Sequence, residues 1–181
     1  ATSVSHGLTN GQYVVLNTTS GMGQIDERIV RVANKTNDTF ELEGVNTTSF
    51  AAFSAGTCNL LTFGTSIATI TTVNPSGDAA NFLDVTTIHD DRRKEIPDLP
   101  GSMSYAFDNL WDPADAGQIA LKTASDSQAK SGFRFTFGTG GKIMVFYGYV
   151  SFSGSPTGGA LAPVTCTATL TSAGTPTYYA S

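Results

Sequence analysis

Between Val164 and Thr171 the chain alternates without a break: Val164, Cys166, Ala168 and Leu170 fall on one side, and Thr165, Thr167, Thr169 and Thr171 on the other. A period of two marks a β-strand with one face in a core and the other toward water, because successive side chains leave a strand on opposite faces. The same period runs through Phe146, Val150 and Phe152 against Tyr147, Tyr149, Ser151 and Ser153, with Gly148 interrupting the apolar row. Two such strands commit the chain to a sheet that is dry on one side and wet on the other.

The rest of the sequence extends that reading. From Thr65 onward, further strands are expected at Thr65 to Val73, Phe82 to Ile88, Met103 to Trp111 and Phe133 to Phe137, with Gly138 to Gly141 turning the last of these back into Ile143 to Phe152. Three shorter runs precede them, at Gln12 to Leu16, Arg28 to Val32 and Thr39 to Leu42, separated by Asn, Gly, Thr and Asp. They read as a small meander over residues 1–60, solvated and outward-facing, ahead of a main domain over 61–181. One helix is expected at about 113–127, with Asp112 as N-cap, Pro113 at the first position and Asp115 in the first turn. Its docking stripe would be Ala116, Ile119, Ala120 and Ala124, with Gly117 costing about 1 kcal/mol against alanine. The fold class is therefore all-β, mainly β with one α-helix. The end, about 172–181, holds Tyr178 and Tyr179 and reads as an extended arm that packs on a neighbouring subunit.

Composition points toward self-association. Charged residues are 14% of the 181, well under the usual quarter, and charge is what keeps exposed sheet edges from pairing. A net charge of −5 argues against a specific nucleic-acid reader, which needs a basic face. No apolar run approaches the ~20 residues of a membrane helix, so no membrane partner is expected, and no signal peptide is visible. Cys58 and Cys166 sit in unlike contexts and are expected to stay unpaired. Asn-x-Thr sequons at Asn17, Asn34, Asn37 and Asn46 are read as chance in a chain rich in both residues.

Chemistry-bearing patterns are missing. His6 and His89 have no metal-ligand spacing, the glycine runs lack the lysine of a phosphate loop, and no nucleophile elbow or spaced carboxylate pair stands out. No catalytic residue, no metal ligand and no cofactor are assigned, and the expectation is a protein that is not an enzyme.

The one exceptional stretch is Asp90 to Gly101, where Asp90, Asp91, Arg92, Arg93, Lys94 and Glu95 are followed by two prolines. A solvated loop is the plain reading. Three of the ten basic residues gathered beside acids favour a second one, a contact with another subunit.

The order of features from Asp84 to Leu121, a Thr-rich strand, a charged loop ending in Leu-Pro-Gly, an aromatic strand and the helix at DPADAGQ, followed by FYGYVSF and TCTATLTSAG, resembles the major tail tube proteins of long-tailed bacteriophages. The stretch His6 to Phe50 is similar to a small β-module found in phage structural proteins. The resemblance implies a β-sandwich whose sheet joins an inter-subunit β-barrel in a hexameric ring, with rings stacked into a tube for genome ejection. It implies further partners: a tape-measure protein, tail terminator or tip proteins, and double-stranded DNA that passes without specific binding. The location implied is the virion tail, after assembly in the host cytoplasm. Asp108, Ser151, Thr165, Thr167 and Thr169 become candidates to face the lumen, and Asp90 to Glu95 to reach the adjacent ring. The alternative is a carbohydrate-binding or adhesin-like β-sandwich, for which an exposed aromatic platform would be needed; Trp111 is expected in the core instead.

Overall fold

The run Tyr-Val-Val-Leu at 13–16 shows no alternation because both faces of its strand are covered. The computed structural model describes the whole chain except Asp78, Ala80, Pro100, Thr139, Ser181 and the side chain of Thr19. Strands β1 (Tyr13–Ser20), β2 (Arg28–Ala33), β3 (Glu41–Leu42) and β4 (Ala55–Leu61) form an antiparallel sheet in the order β3-β2-β1-β4. Val14, Leu16, Val30 and Val32 point one way, under Leu8, Ile25 and Phe40. Tyr13, Val15 and Ile29 point the other way, onto Val145 and Tyr179 of the main sheet. At about 1.5–3 kcal/mol per fully buried side chain, that second face fastens the first sheet to the second.

The remaining elements are β5 (Ile70–Ser76), β6 (Phe82–Asp84), β7 (Glu95–Pro97), β8 (Ser104–Leu110), α1 (Ala116–Ser127), β9 (Ser131–Thr136), β10 (Ile143–Phe152), β11 (Thr165–Ser172) and β12 (Thr177–Tyr179). The main sheet has the order β12-β10-β11-β8-β5, with β9 also on β10. β9 runs along one side of β10 from Ile143 to Gly148, while β12 and then β11 take the other side. The β9–β10 turn closes with Phe137 N donating to Lys142 O at 3.2 Å; Thr139 of the expected Gly138–Gly141 turn lies outside the described residues. β10 carries both sequence textures for a physical reason. Its first half is sandwiched, with Ile143, Val145 and Tyr147 toward the first sheet and Met144 and Phe146 toward the aromatic core. In its second half only Val150 and Phe152 are buried, and Tyr149 and Ser151 are open. Gly148 stands at the crossover, where a Cβ would lie 2.1 Å from Thr171 O, so only glycine lets β11 approach.

The core between sheet and helix is aromatic: the ring of Phe146 stacks on Tyr105 at 4.9 Å and meets Phe133 at 5.4 Å. Cys166, Ala168 and Leu170 are buried beside it, as alternation demanded, but Val164 precedes the strand and is exposed. Cys58 lies exposed in β4, not in a turn, and Cys166 is buried; both are free thiols.

Three expectations are corrected. The helix starts at Ala116, because Asp115 is the N-cap, its Oδ1 accepting from Gln118 N at 2.9 Å, while Asp112 caps a preceding turn by accepting from Ala114 N at 3.0 Å. The docking face is Gly117, Gln118 and Leu121, with Ala124 of the expected stripe packed on the same core, while Ala116, Ile119 and Ala120 are exposed. Gln118 then ties helix to sheet, its Nε2 donating to Leu110 O at 2.6 Å and Thr69 Oγ1 at 3.1 Å. Second, Phe82–Asp84 joins no main sheet: β5 and β8 are already direct antiparallel partners, so the chain between them folds on itself as the β6–β7 hairpin. Third, Thr65 to Thr69 is not strand; Ile67 runs beneath the helix, where a Cβ on Gly117 would stand 2.8 Å from Ile67 Cα and 2.9 Å from Ser66 O.

That contact reverses the usual helix preference. Gly117→Ala gains up to about 1 kcal/mol of propensity but must push backbone away from backbone, at about 1–3 kcal/mol. A lowered denaturation midpoint is expected; a raised one would show that the 66–67 segment yields freely.

Candidate assembly surfaces

The polar face of the main sheet collects the residues read as lumen-facing. Register places Thr167 beside Asp108 and Thr169 beside Ser151, and Thr165 lies two residues before Thr167 on the same side of β11. Asp108 is held by two hydroxyls: Thr167 Oγ1 donates to Oδ1 at 2.6 Å and Thr72 Oγ1 to Oδ2 at 3.0 Å. These bonds, Thr167's first, hold the Asp108 carboxyl below its ordinary range. Sequence reading missed Thr72, which extends the face onto β5; the alternation Thr72, Asn74, Ser76 would have shown it had the strand been placed a few residues later.

A depressed carboxyl contributes stability that is complete above the unfolded-state value and is lost as pH falls through the folded-state value. The thermal midpoint of Asp108→Asn should therefore fall below the parent's near neutrality, and the gap should close below about pH 4. A gap that is constant with pH would mean that the charge of Asp108 is not what its two threonines stabilise.

The charged stretch lies on the β6–β7 hairpin. Every described residue from Asn81 to Leu99 is exposed except Asp90, which is half-buried. Arg93 Nε lies 3.1 Å from Asp84 Oδ2 and 3.0 Å from Glu95 Oε1, and Lys94 pairs with Asp90. Asp84 is held below its usual range first by Thr86 and then by Arg93, and Asp90 first by Lys94 and then by Thr87. Arg93 and Lys94 thus answer acids of their own hairpin, and Asp91 and Arg92 stand at its tip. Pro100, in the expected stretch Asp90 to Gly101, lies outside the described residues. What the charge pattern concealed is apolar exposure: Phe82, Leu83, Ile88, Ile96 and Leu99 all face outward.

The expected C-terminal arm divides. Tyr179 packs within its own chain: buried against Tyr13, its hydroxyl accepts from Arg31 N at 2.9 Å and its ring lies 4.8 Å under the Arg31 guanidinium. Burial pushes its phenol upward. Thr177 Oγ1 accepts from Arg28 Nε at 3.0 Å, and Lys130 bonds Glu27, so strand β12 and the start of β9 clasp the first sheet. The arm was read as unsupported because its partner is more than 140 residues away in sequence. Tyr178 is exposed, and Ser181 lies outside the described residues. Trp111 is corrected likewise: it is 40% exposed, with Nε1 donating to Gly154 O at 3.3 Å.

Among the described residues, β5, β9 and β12 are each paired on one side only, β5 at one end of the main sheet and β9 and β12 on the two sides of β10 at the other. Such edges offer rows of backbone donors and acceptors to another chain. Among the same residues no group of three His, Cys, Asp or Glu side chains is placed to hold a metal.

No curated protein sequence matches the chain. Two solved assemblies contain chains of similar shape. One is the tail of an empty gene transfer agent particle, refined with C6 helical symmetry: 18% identity over 67% of this chain and 87% of that chain, TM-score 0.48. The other is the virion of a native gene transfer agent particle: 17% identity over 64% of this chain and 88% of that one, TM-score 0.47. The profile of the family described as phage tail tube protein, TTP, matches residues 20–181, which leaves the carbohydrate-binding alternative without support. By that match, which leaves out only residues 1–19, the chain belongs to the phage tail tube protein family.

Proposed function

We propose that this tail tube subunit closes side by side with five copies of itself into a ring, and that rings stack into the conduit of a virion tail. The observation that carries the reading is a sheet open at both edges, with one face buried and the other, from β5 to the second half of β10, polar and unroofed. Joining the β5 edge of one copy to the β9 and β10 edge of the next satisfies both rows at once, and a cyclic head-to-tail contact repeats until it closes. If β5, β8, β11 and the end of β10 line the wall in each of six copies, the barrel has about 24 strands. At ~4.8 Å spacing and ~40° tilt it is ~48 Å across at the backbone, room for a DNA duplex and a layer of water.

The inner surface in this arrangement is Asp108, Ser151, Thr165, Thr167 and Thr169, polar and weakly acidic. Repulsion acting over about 8 Å at physiological salt keeps DNA off such a wall. A tape-measure protein would occupy the bore during assembly in the host cytoplasm, and terminator and tip proteins would meet the end rings. The sheet formed by residues 1–61 covers the same side of β10 up to Tyr147, where the polar row begins, and in this arrangement flanks the lining. The Asp90 to Glu95 tip reaches the adjacent ring. Structure alone is its work, and no chemistry is assigned to it. Electron microscopy of the concentrated protein tests the reading: stacked six-fold rings are expected, and a protein that stays monomeric at high concentration would overturn it.

A further inference from the structure

The main sheet has two ends, and they differ in a complementary way. At one, Ser76 faces Ser104 across β5 and β8, and the β6–β7 hairpin springs from there. At the other, β8 finishes at Leu110 and the chain runs into Trp111, whose backbone N donates to Val164 O at 2.9 Å. Leu110, Trp111 and Val164 are each about two-fifths exposed, and Leu161 in the preceding loop is fully exposed at 104%. The sheet thus carries an apolar protrusion at one end and an apolar rim at the other.

We propose that the β6–β7 hairpin of a subunit in one ring docks on the Leu110, Trp111, Leu161 and Val164 rim of a second copy of this chain in the next ring. This rests on the tube reading above and names the surface that receives the hairpin. A two-stranded hairpin is marginal in water, and this one leaves Phe82, Leu83, Ile88 and Ile96 uncovered, a patch that calls for a partner. Charge permits the approach. Asp91 and Arg92 together leave the exposed tip neutral, Asp112, exposed immediately after Trp111, can answer Arg92, and the loop from Ser153 to Val164 contains no charged residue to oppose it. Because hairpin and rim are different surfaces at opposite ends of the sheet, the contact is heterologous and propagates along an axis instead of stopping at a dimer. The indole bond to Gly154 O holds the Trp111 ring against the rim, so the receiving surface is formed before the hairpin arrives.

A cross-link tests the assignment. In a Cys58→Ser background, which removes the exposed native thiol, Ile88→Cys and Leu161→Cys are introduced together and singly. Both side chains are essentially fully exposed, at 97% and 104%, so neither change should disturb folding. A short bis-maleimide is added to assembled tubes and to dilute subunits. The double variant in tubes should give a denaturing-gel ladder that continues past six chains, absent from dilute subunits and from either single variant. Tubes without a ladder would overturn the rim assignment while leaving the tube reading intact, and a ladder that stops at six would place the contact within a ring and overturn it also. Failure of the unmodified protein to form tubes would overturn both.

Discussion

Reversing the hairpin tip, with Arg92→Glu, Arg93→Glu and Lys94→Glu together, is expected to abolish tube formation and leave the subunit folded. In the native hairpin Arg93 lies between Asp84 and Glu95, and Lys94 answers Asp90. The triple reversal leaves the tip with carboxylates alone, beside the exposed Asp112 of the proposed receiving rim. Like charges brought together at an interface cost several kcal/mol, which at 1.4 kcal/mol per decade lowers ring-to-ring affinity at least ~100-fold. The hairpin contributes no buried side chain to any core, and surface substitutions usually change stability by no more than about 0.5 kcal/mol each. Sedimentation should show loss of the fast species with a thermal midpoint within a few degrees of the parent. Tubes that form normally would show that the hairpin takes no part in stacking.

Phe146→Ala should do the opposite, removing the fold and assembly with it. Phe146 is fully buried and lies against the rings of Tyr105, Phe133 and Phe135. Truncation of such a residue costs about 3–5 kcal/mol, a large part of the ~5–15 kcal/mol that holds a domain together. Urea unfolding should show a midpoint displaced in proportion, and a loss below about 1 kcal/mol would mean that the aromatic cluster collapses around the gap. Together the two variants separate a subunit that cannot stack from one that cannot fold.

What was legible in the residues followed burial. β10 and β11 could be placed almost to the residue, because a strand with one wet face writes its period into the sequence. The polar row of Ser151, Thr165, Thr167 and Thr169 was readable for the same reason, whereas Asp108, on β8, came only with the family resemblance. β4 was not, since nearly all of its side chains are exposed and it is held to β1 by backbone pairing from Tyr13–Leu61 to Ser20–Ala55, which leaves no side-chain pattern. The start of the helix was misjudged because Asp112 and Asp115 are both competent caps, and the choice falls on the one whose turn lets Gly117 slide under the 66–67 backbone. Tyr179, Trp111 and the hairpin depend on what stands opposite each in space, information that no local window contains. The hairpin was recognised by charge, whereas its apolar side chains are what a partner would bury.

Amide hydrogen exchange along β5 tests most directly whether these sheets are completed by sister molecules. In the dilute subunit the outward amides of Ile70 to Ser76 have no strand beyond them among the described residues and should exchange rapidly, while those of β11, paired on both sides, are protected. In assembled tubes the β5 amides should become protected to a similar degree. Protection that is unchanged on assembly, or already complete in the isolated subunit, would contradict the account.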